Sequence, residues 1–212
     1  MPRRARVLVP DLPLHIVQRG HNRQCCFFQQ SDYRMYLDWV KEYADFYGAA
    51  VHAYVLMTNH VHLLLSIDDI AQVSGMMKAI AQNYAQYLNR RFDRCGAWWG
   101  GRFYSCPVPA DRYLLACHRY IELNPVRAGI VASPDQYFWS SYLGNAGFRD
   151  DGLLTPHALY AALSADKQTR SHAYRQLFEK ALGDDEIGEI RQATNGNYQI
   201  GRQQMRSRAR AD

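Results

Sequence analysis

The 212-residue sequence has no long hydrophobic run. Its longest uncharged apolar stretch lies around residues 61–67, far short of the roughly 18 residues that a bilayer crossing needs. The first residues are basic, but Pro10, Asp11 and Pro13 follow where a signal peptide would have its apolar core. These absences predict a soluble cytoplasmic protein with no membrane partner.

Cysteine is scarce, and its spacing suits neither a disulfide framework nor a structural zinc site. The five cysteines form an odd set that contains no C-x-x-C pair. We therefore expect reduced, mostly buried thiols. The chain also lacks an internal repeat and a phosphate-binding G-x-x-x-x-G-K-[ST] motif.

The composition is that of a globular protein with a mild basic excess. Hydrophobic residues make up 48% and charged residues 21% of the chain, which suits one ordinary domain plus an appendage. The 25 basic residues, mostly arginine, outnumber the 20 acidic ones and give a net charge of +5. Arginine suits bidentate phosphate contacts, and the 15 tyrosines could stack on unpaired bases. This balance favours a polyanionic partner without requiring one.

Apolar spacing predicts six alternating elements in the first two thirds of the chain. We expect a strand near residues 14–17, then a helix capped by Ser31 and Asp32 and ended by Gly48. A hairpin at 50–67, a helix at 69–92 and an edge strand before Pro107 and Pro109 come next. A last helix, at 111–123, begins with Asp111 as its cap.

This order predicts an α+β fold of the ferredoxin-like, split β-α-β type: an antiparallel sheet with helices on one face. We expect residues 1–140 to form the main domain and residues 141–200 an accessory helical region. Residues 201–212 are rich in arginine and almost free of apolar side chains, which predicts a disordered basic tail.

The segment NHVHLLL places two histidines, His60 and His62, on the second strand of the predicted hairpin. Because successive strand residues point to opposite faces, both rings share one face and could bind one divalent ion. The simpler alternative is a pair of half-buried histidines at a sheet edge. The motif does not decide between them.

A second group lies in CHRYIELNPVRAG, at the end of the last predicted helix. Tyr120 and Asn124 are four residues apart and share a helix face with Cys117, and Arg127 follows in the turn. A hydroxyl and an amide are thus presented together. The simpler alternative makes Tyr120 a core tyrosine and Asn124 a helix C-cap before proline.

Together, these segments resemble the HUH single-tyrosine transposases. The resemblance rests on NHVH in a hairpin, a G-R-F segment after two tryptophans and the motif R-Y-I-x-x-N-P-V-R-A. It is closest to the REP-associated tyrosine transposases and covers residues 15–140, and HIVQRGHNR is similar to the family's first strand and loop. On this basis residues 1–140 are expected to be the catalytic domain.

The resemblance implies a metal-dependent enzyme that cleaves and rejoins single-stranded DNA. It makes His60 and His62 ligands of Mg²⁺ or Mn²⁺, Tyr120 the nucleophile of a 5′-phosphotyrosine intermediate, and Asn124 the third ligand. Some relatives have glutamine or an acid where this chain has Asn124. The implied targets are repetitive palindromes that fold into hairpins. Such an intermediate conserves the bond energy, so rejoining needs no ATP.

DNA contacts are expected from basic and aromatic residues near these motifs. Those that we predict to bind DNA are Arg19, Arg23, Arg102, Phe103 and Arg127. Further candidates for DNA binding are Arg90, Arg91, Arg94, Trp98 and Trp99. Each has an ordinary alternative: the arginines would be solvated at a helix end, and the tryptophans would pack in the core.

Two other functions remain open from the sequence. One is a catalytically silent regulator that binds single-stranded nucleic acid on the same fold. The other is a metal-dependent hydrolase in which Tyr120 is structural and His52, on the neighbouring strand, completes the metal site. A monomer and a homodimer are both compatible with the sequence.

Overall fold

The structure is a computed structural model that describes residues 7–201, apart from the side chains of residues 110 and 111. The predicted cap Asp111 and the predicted tail from residue 202 onward therefore lie outside the described residues. Within residues 7–201, no helix combines the length and the apolar character needed to span a membrane.

Six elements form the predicted α+β unit. They are β1 (Leu14–Arg19), α1 (Gln30–Tyr47), β2 (Ala49–Met57), β3 (His60–Ile67), α2 (Val73–Arg91) and β4 (Tyr104–Pro107). The following helix, α3 (Ala110–Glu122), carries the second sequence motif. Short 3₁₀ turns lie at His21–Arg23, Ile70–Gln72 and Pro134–Gln136.

The four strands form one antiparallel sheet in the order β2-β3-β1-β4. β1 lies between β3 and β4, so residues from the start of the chain stand beside the histidines of β3. In this register Val17 faces His62 and Arg19 faces His60. The predicted α+β class with a split β-α-β order is confirmed.

Local chemistry explains where α1 begins and ends. Its last residue precedes Gly48, whose positive φ of 66° lets the chain leave the helix in the left-handed conformation. The helix begins at Gln30, one residue before the predicted caps. Asp32 does cap it, but from inside the first turn, where its carboxylate accepts the backbone N–H groups of Phe28 and Gln29.

Helices cover both faces of the sheet, not the single face predicted. Helices α1 and α2 cover the face that carries Leu14, Ile16 and Leu63. The other face carries Leu64 and Cys106, and α3 packs against it with a C-terminal helix. The reason is that β3 has apolar residues at successive positions, so both of its faces need to be buried.

The C-terminal part is helical, as predicted, but it packs on the sheet. Its helices are α4 (Asn124–Arg127), α5 (Tyr142–Asn145), α6 (Ala158–Ala161), α7 (Lys167–Gln176) and α8 (Asp184–Gly196). Helix α8 lies against β4 and β1 and contributes Ile190 and Ala193 to the core beneath α3. The C-terminal region thereby reaches the same sheet face as His62.

Candidate functional site

His60 and His62 point to the sheet face that α3 covers. They follow the two-residue turn at Thr58 and Asn59, which joins β2 to β3. Their ring centroids are 5.1 Å apart at an interplanar angle of 69°. His62 is buried with 2% exposure, whereas His60 is partly exposed at the sheet end.

Both rings are neutral near pH 7. Burial lowers the pKa of His60 to about 4, and the charge of Arg19 contributes in the same direction. Burial also lowers the pKa of His62 well below its usual range, with further contributions from nearby basic groups that include His15 and Arg127. A neutral imidazole is the form that binds a metal ion.

One nitrogen of each ring is hydrogen-bonded to another side chain of the protein. The Nδ1 atom of His60 lies 2.6 Å from Oδ1 of Asn59, and Nδ1 of His62 lies 2.8 Å from Nε2 of His15. The Nε2 atom of His62 is buried and has no hydrogen-bond partner within residues 7–201. A buried orphan nitrogen is costly, and a bound cation would satisfy it. The histidine pair therefore fits a divalent metal.

The fold brings Tyr120 against this pair. Its ring centroid lies 5.9 Å from that of His62 and 5.7 Å from that of His15, edge-on to both. The side chain is 5% exposed because α3 buries the neighbouring Cys117 and Ile121 on the sheet. Three residues that are far apart in sequence thus form one cluster within a single chain.

Asn124 lies one helical turn after Tyr120, as the motif requires. Its Nδ2 donates to the backbone oxygens of Tyr120 and Ile121, at 3.1 and 3.2 Å, and so caps α3. The C-cap residue of α3 is Leu123, so the alternative foreseen for Asn124 is met by its side-chain bonds and not by its backbone position. In the part of the chain that the structure describes, no three His, Cys, Asp or Glu side chains converge on a metal position. Ligation by Asn124 therefore stays a prediction.

Arg127 packs directly on Tyr120. Its guanidinium carbon lies 4.5 Å from the ring centroid, and Nη2 donates to the backbone oxygen of Tyr120. Its Nε and Nη1 atoms are buried with no acceptor among the described residues. Burial lowers the pKa of Arg127 to about 10, which keeps the group charged at neutral pH. A charged donor beside the tyrosine is suited to an anion.

The other residues predicted to bind DNA lie in two environments. Arg19, Arg23 and Arg102 are exposed, and Arg19 stands next to His60 in the sheet register. Phe103 is buried and lines a cavity of about 560 Å³ between α2 and the loop before β4. The structure thus places Arg19 nearest to the histidine pair.

The tryptophans are buried, as the alternative of core packing predicts, whereas Arg91 and Arg94 contact protein groups and are not simply solvated helix ends. The indole of Trp98 donates to Asn89 at 2.7 Å, and that of Trp99 donates to the backbone oxygen of Ala81 at 3.2 Å. Arg94 stacks on Trp98, and Arg91 forms an ion pair with the buried Asp32.

His52 does not approach the pair. Its Nδ1 lies 2.8 Å from the backbone oxygen of Thr155, and its Nε2 lies 2.9 Å from Oγ of Ser66. Ser66 is at the end of the hairpin opposite to His60. Both ring nitrogens are thus occupied, which removes the third ligand that the hydrolase alternative needed.

Sequence reasoning missed two residues that hydrogen bonds connect to His62, one directly and one through the other. His15 stands on β1 and bonds His62, and Thr194 on α8 bonds His15 at 2.9 Å. A polar residue at an inward-facing position of a predicted strand was the available signal for His15. Thr194 had none, because a threonine in a C-terminal helix is unremarkable in sequence.

The fold and the site define an α+β protein in which the rings of His15 and His62 contact Tyr120. A comparison with protein families gives the class of this protein. The family model described as "Transposase IS200 like" matches residues 8–124, more than half of the chain. The chain belongs to the IS200-like transposase family. This confirms the family resemblance inferred from the NHVH and R-Y-I-x-x-N-P-V-R-A motifs.

The solved structures that are similar to the chain include the following two, whereas no curated protein matches it. One is a REP-associated tyrosine transposase bound to a REP hairpin, with 17% identity and a TM-score of 0.61, covering 73% of this chain and 89% of that one. It shows the same fold. The other, a candidate transposase from Deinococcus radiodurans R1, has 19% identity and a TM-score of 0.40, covering 55% of this chain and 94% of that one.

Proposed function

We propose that this transposase-family protein cleaves and rejoins single-stranded DNA through a covalent bond to Tyr120. The observation that carries the proposal is the contact between Tyr120 and His62, whose ring centroids lie 5.9 Å apart in the same chain. A tyrosine and paired neutral imidazoles, together with an unsatisfied guanidinium, supply a nucleophile, cation ligands and an anion donor.

In this proposal His60 and His62 hold a divalent cation, Mg²⁺ or Mn²⁺, through their Nε2 atoms, with Asn124 as a further ligand. When bound, the cation neutralises charge on the scissile phosphate and orients it. The buried Nε2 of His62 supports this assignment, because no group among the described residues forms a hydrogen bond with it. The nitrogen is therefore free to bind a cation.

The proposed bond changes are those that the family resemblance implies for Tyr120. Attack of its oxygen on phosphorus forms a 5′-phosphotyrosine ester and breaks the bond to the 3′ oxygen. That oxygen takes a proton and leaves as a 3′-hydroxyl, while the tyrosine proton goes to solvent. Rejoining is the reverse, in which a 3′-hydroxyl attacks the ester and restores the tyrosine. Two buried nitrogens of Arg127, Nε and Nη1, are proposed to donate to the developing phosphate charge.

The proposed substrate is a palindromic hairpin with an unpaired flank. The similar solved structure is described as bound to a REP hairpin, and this chain shares its fold. Exposed Arg19, beside His60 in the sheet, and exposed Arg23 supply positive charge for the phosphate backbone. Because the tyrosine and the histidines meet within one chain, the proposal has Tyr120 acting in cis.

The test is a covalent-adduct assay. We expect end-labelled single-stranded DNA that carries a palindromic hairpin, incubated with protein and Mn²⁺, to give a band that survives denaturing electrophoresis. Tyr120→Phe should abolish this band and keep hairpin affinity, because only the hydroxyl is lost. Tyr113→Phe is the matched control, since Tyr113 is equally buried on the same helix and should leave the adduct unchanged.

Other outcomes would point to the alternatives. Tight hairpin binding by the wild-type protein with no adduct on any palindrome tested would indicate the silent regulator. Cleavage that persists in Tyr120→Phe and releases free 5′-phosphate ends would indicate hydrolysis by activated water.

A further inference from the structure

A chain of hydrogen bonds leads from α8 to the metal-facing side of His62. The hydroxyl of Thr194 donates to the backbone oxygen of Ile190 at 2.8 Å, one helical turn before it. Nδ1 of His15 lies 2.9 Å from the same hydroxyl oxygen. Nε2 of His15 lies 2.8 Å from Nδ1 of His62. All three polar side chains are nearly inaccessible to solvent.

The direction of every bond follows from a single proton. Because a hydroxyl has one hydrogen, and Thr194 gives it to Ile190, the two lone pairs of its oxygen accept from Nδ1–H of His15 and from the thiol of Cys106, which lies 3.1 Å away. A neutral ring that donates from Nδ1 accepts at Nε2, so His15 accepts from Nδ1–H of His62. His62 then carries its proton on Nδ1 and a lone pair on Nε2.

We propose that His15 and Thr194 are positioning residues that fix the tautomer and orientation of His62 so that its Nε2 faces a divalent cation. The inference rests on the metal-binding part of the proposed function and assigns a role to two residues outside both sequence motifs. A free neutral imidazole can protonate either nitrogen, so a partner at Nδ1 decides which nitrogen binds the metal.

Thr194 belongs to the C-terminal region, outside the part of the chain that the family model matches. The family match ends at residue 124, and Thr194 lies far beyond it, on a helix that packs on β4 and β1. The C-terminal region therefore completes the histidine site by supplying the last acceptor of the relay.

A spectroscopic experiment tests the tautomer without metal. In metal-free protein labelled with ¹⁵N-histidine, long-range ¹H–¹⁵N spectra distinguish the two ring nitrogens, and His62→Asn identifies the signals of His62. We expect a protonated Nδ1 and an unprotonated Nε2 in the wild type. His15→Phe should move the proton toward Nε2, and His15→Gln should not, because its amide oxygen can accept from Nδ1–H. A wild-type His62 protonated on Nε2 would overturn the proposal.

Cation affinity gives a second readout. By Mn²⁺ titration followed by electron paramagnetic resonance, we expect His15→Phe to weaken binding roughly 10- to 100-fold, as loss of a hydrogen-bond partner to a metal ligand typically does. Ser105→Ala is the matched control, because Ser105 is equally buried on β4, pairs with Ile16 in the sheet, and has no side-chain hydrogen bond among the described residues. Unchanged Mn²⁺ affinity in folded His15→Phe would contradict the proposal.

Thr194 offers a milder pair of variants if His15→Phe fails to fold. Thr194→Val keeps the shape and removes the acceptor, so it should weaken Mn²⁺ binding and mix the His62 tautomers. Thr194→Ser should restore both. If Thr194→Val and Thr194→Ser had the same Mn²⁺ affinity and the same His62 tautomer, the proposed hydrogen-bond chain would be wrong. If wild-type protein binds no Mn²⁺, the metal part of the proposed function fails, while the tautomer measurement still decides this inference.

Discussion

Among individual residues, Arg127 illustrates how a common side chain acquires a specific environment. Its guanidinium lies over the ring of Tyr120 and keeps two buried nitrogens without an acceptor in the described part of the chain. Such donors are costly in a resting protein. A phosphate bonded to Tyr120 would satisfy them, which connects the cost of the resting state to the proposed intermediate.

We expect Arg127→Ala to slow adduct formation about 100-fold, the usual effect of removing one donor from a developing charge. Arg127→Lys should be intermediate, because lysine keeps the charge and loses the planar fork. Single-turnover cleavage of the hairpin substrate measures both. Arg112→Ala serves as control, since Arg112 is exposed on the same helix and stacks on Tyr113. An Arg127→Ala rate equal to wild type would remove Arg127 from the proposal.

Among the elements, α3 joins the proposed site to the C-terminal region. Two residues after Tyr120, Glu122 is fully buried and accepts hydrogen bonds from the hydroxyl of Ser141, the amide of Asn145 and the hydroxyl of Tyr174. Burial raises the pKa of Glu122 to about 7, although these three donors oppose the rise. The helix that carries Tyr120 is thus held by α5 and α7 as well as by the sheet.

Glu122→Leu should lower the free energy of unfolding by about 3 kcal/mol, because it leaves several buried donors unsatisfied. Urea denaturation at pH 7 measures the change. Glu179→Leu, at an exposed position of the C-terminal region, should stay within about 0.5 kcal/mol of wild type. A loss for Glu122→Leu no larger than that control would show that the network contributes little to stability.

For the whole molecule, buried histidines determine how stability depends on pH. Burial lowers the pKa of His52 to about 4 and that of His118 to about 3, while the unfolded chain has the ordinary value of 6.5. On acidification the unfolded state therefore takes up protons first. The stability that the neutral, buried His52 and His118 contribute is complete above pH 6.5 and is lost as the pH falls toward 4. Glu122 acts oppositely, adding stability as the pH falls from 7 to 4.5.

We expect the free energy of unfolding to fall between pH 6.5 and 5, by at most about 1.4 kcal/mol per pH unit for each buried histidine. Urea denaturation at several pH values, with chelator present, measures the slope. The double variant His52→Asn and His118→Asn should reduce this slope, and exposed His172→Asn should not. The remaining slope comes from His15, His60 and His62, whose pKa values burial also lowers. A double variant with the wild-type slope would contradict this assignment.

The element order was predictable because its causes are local. Gly48 ends α1 through its left-handed conformation, and the apolar stripe of α2, from Val73 to Leu88, is buried as its spacing predicts. The second covered face was not predicted. The continuous apolar run in β3 shows that both faces of the strand are apolar, but it does not show that a helix from the end of the chain covers one of them.

By itself, the sequence determined the family, the sheet and the two motifs that hold His60, His62 and Tyr120, because strand alternation and helical spacing act over a few residues. Only the tertiary structure decided that Tyr120 meets His62, that Arg127 lies over the tyrosine ring and that Thr194 reaches His15. The contacts of Tyr120 with His62 and of Thr194 with His15 join residues whose separation along the chain carries no local signal. They depend on how α3 and α8 pack on the sheet, and burial of apolar surface drives that packing.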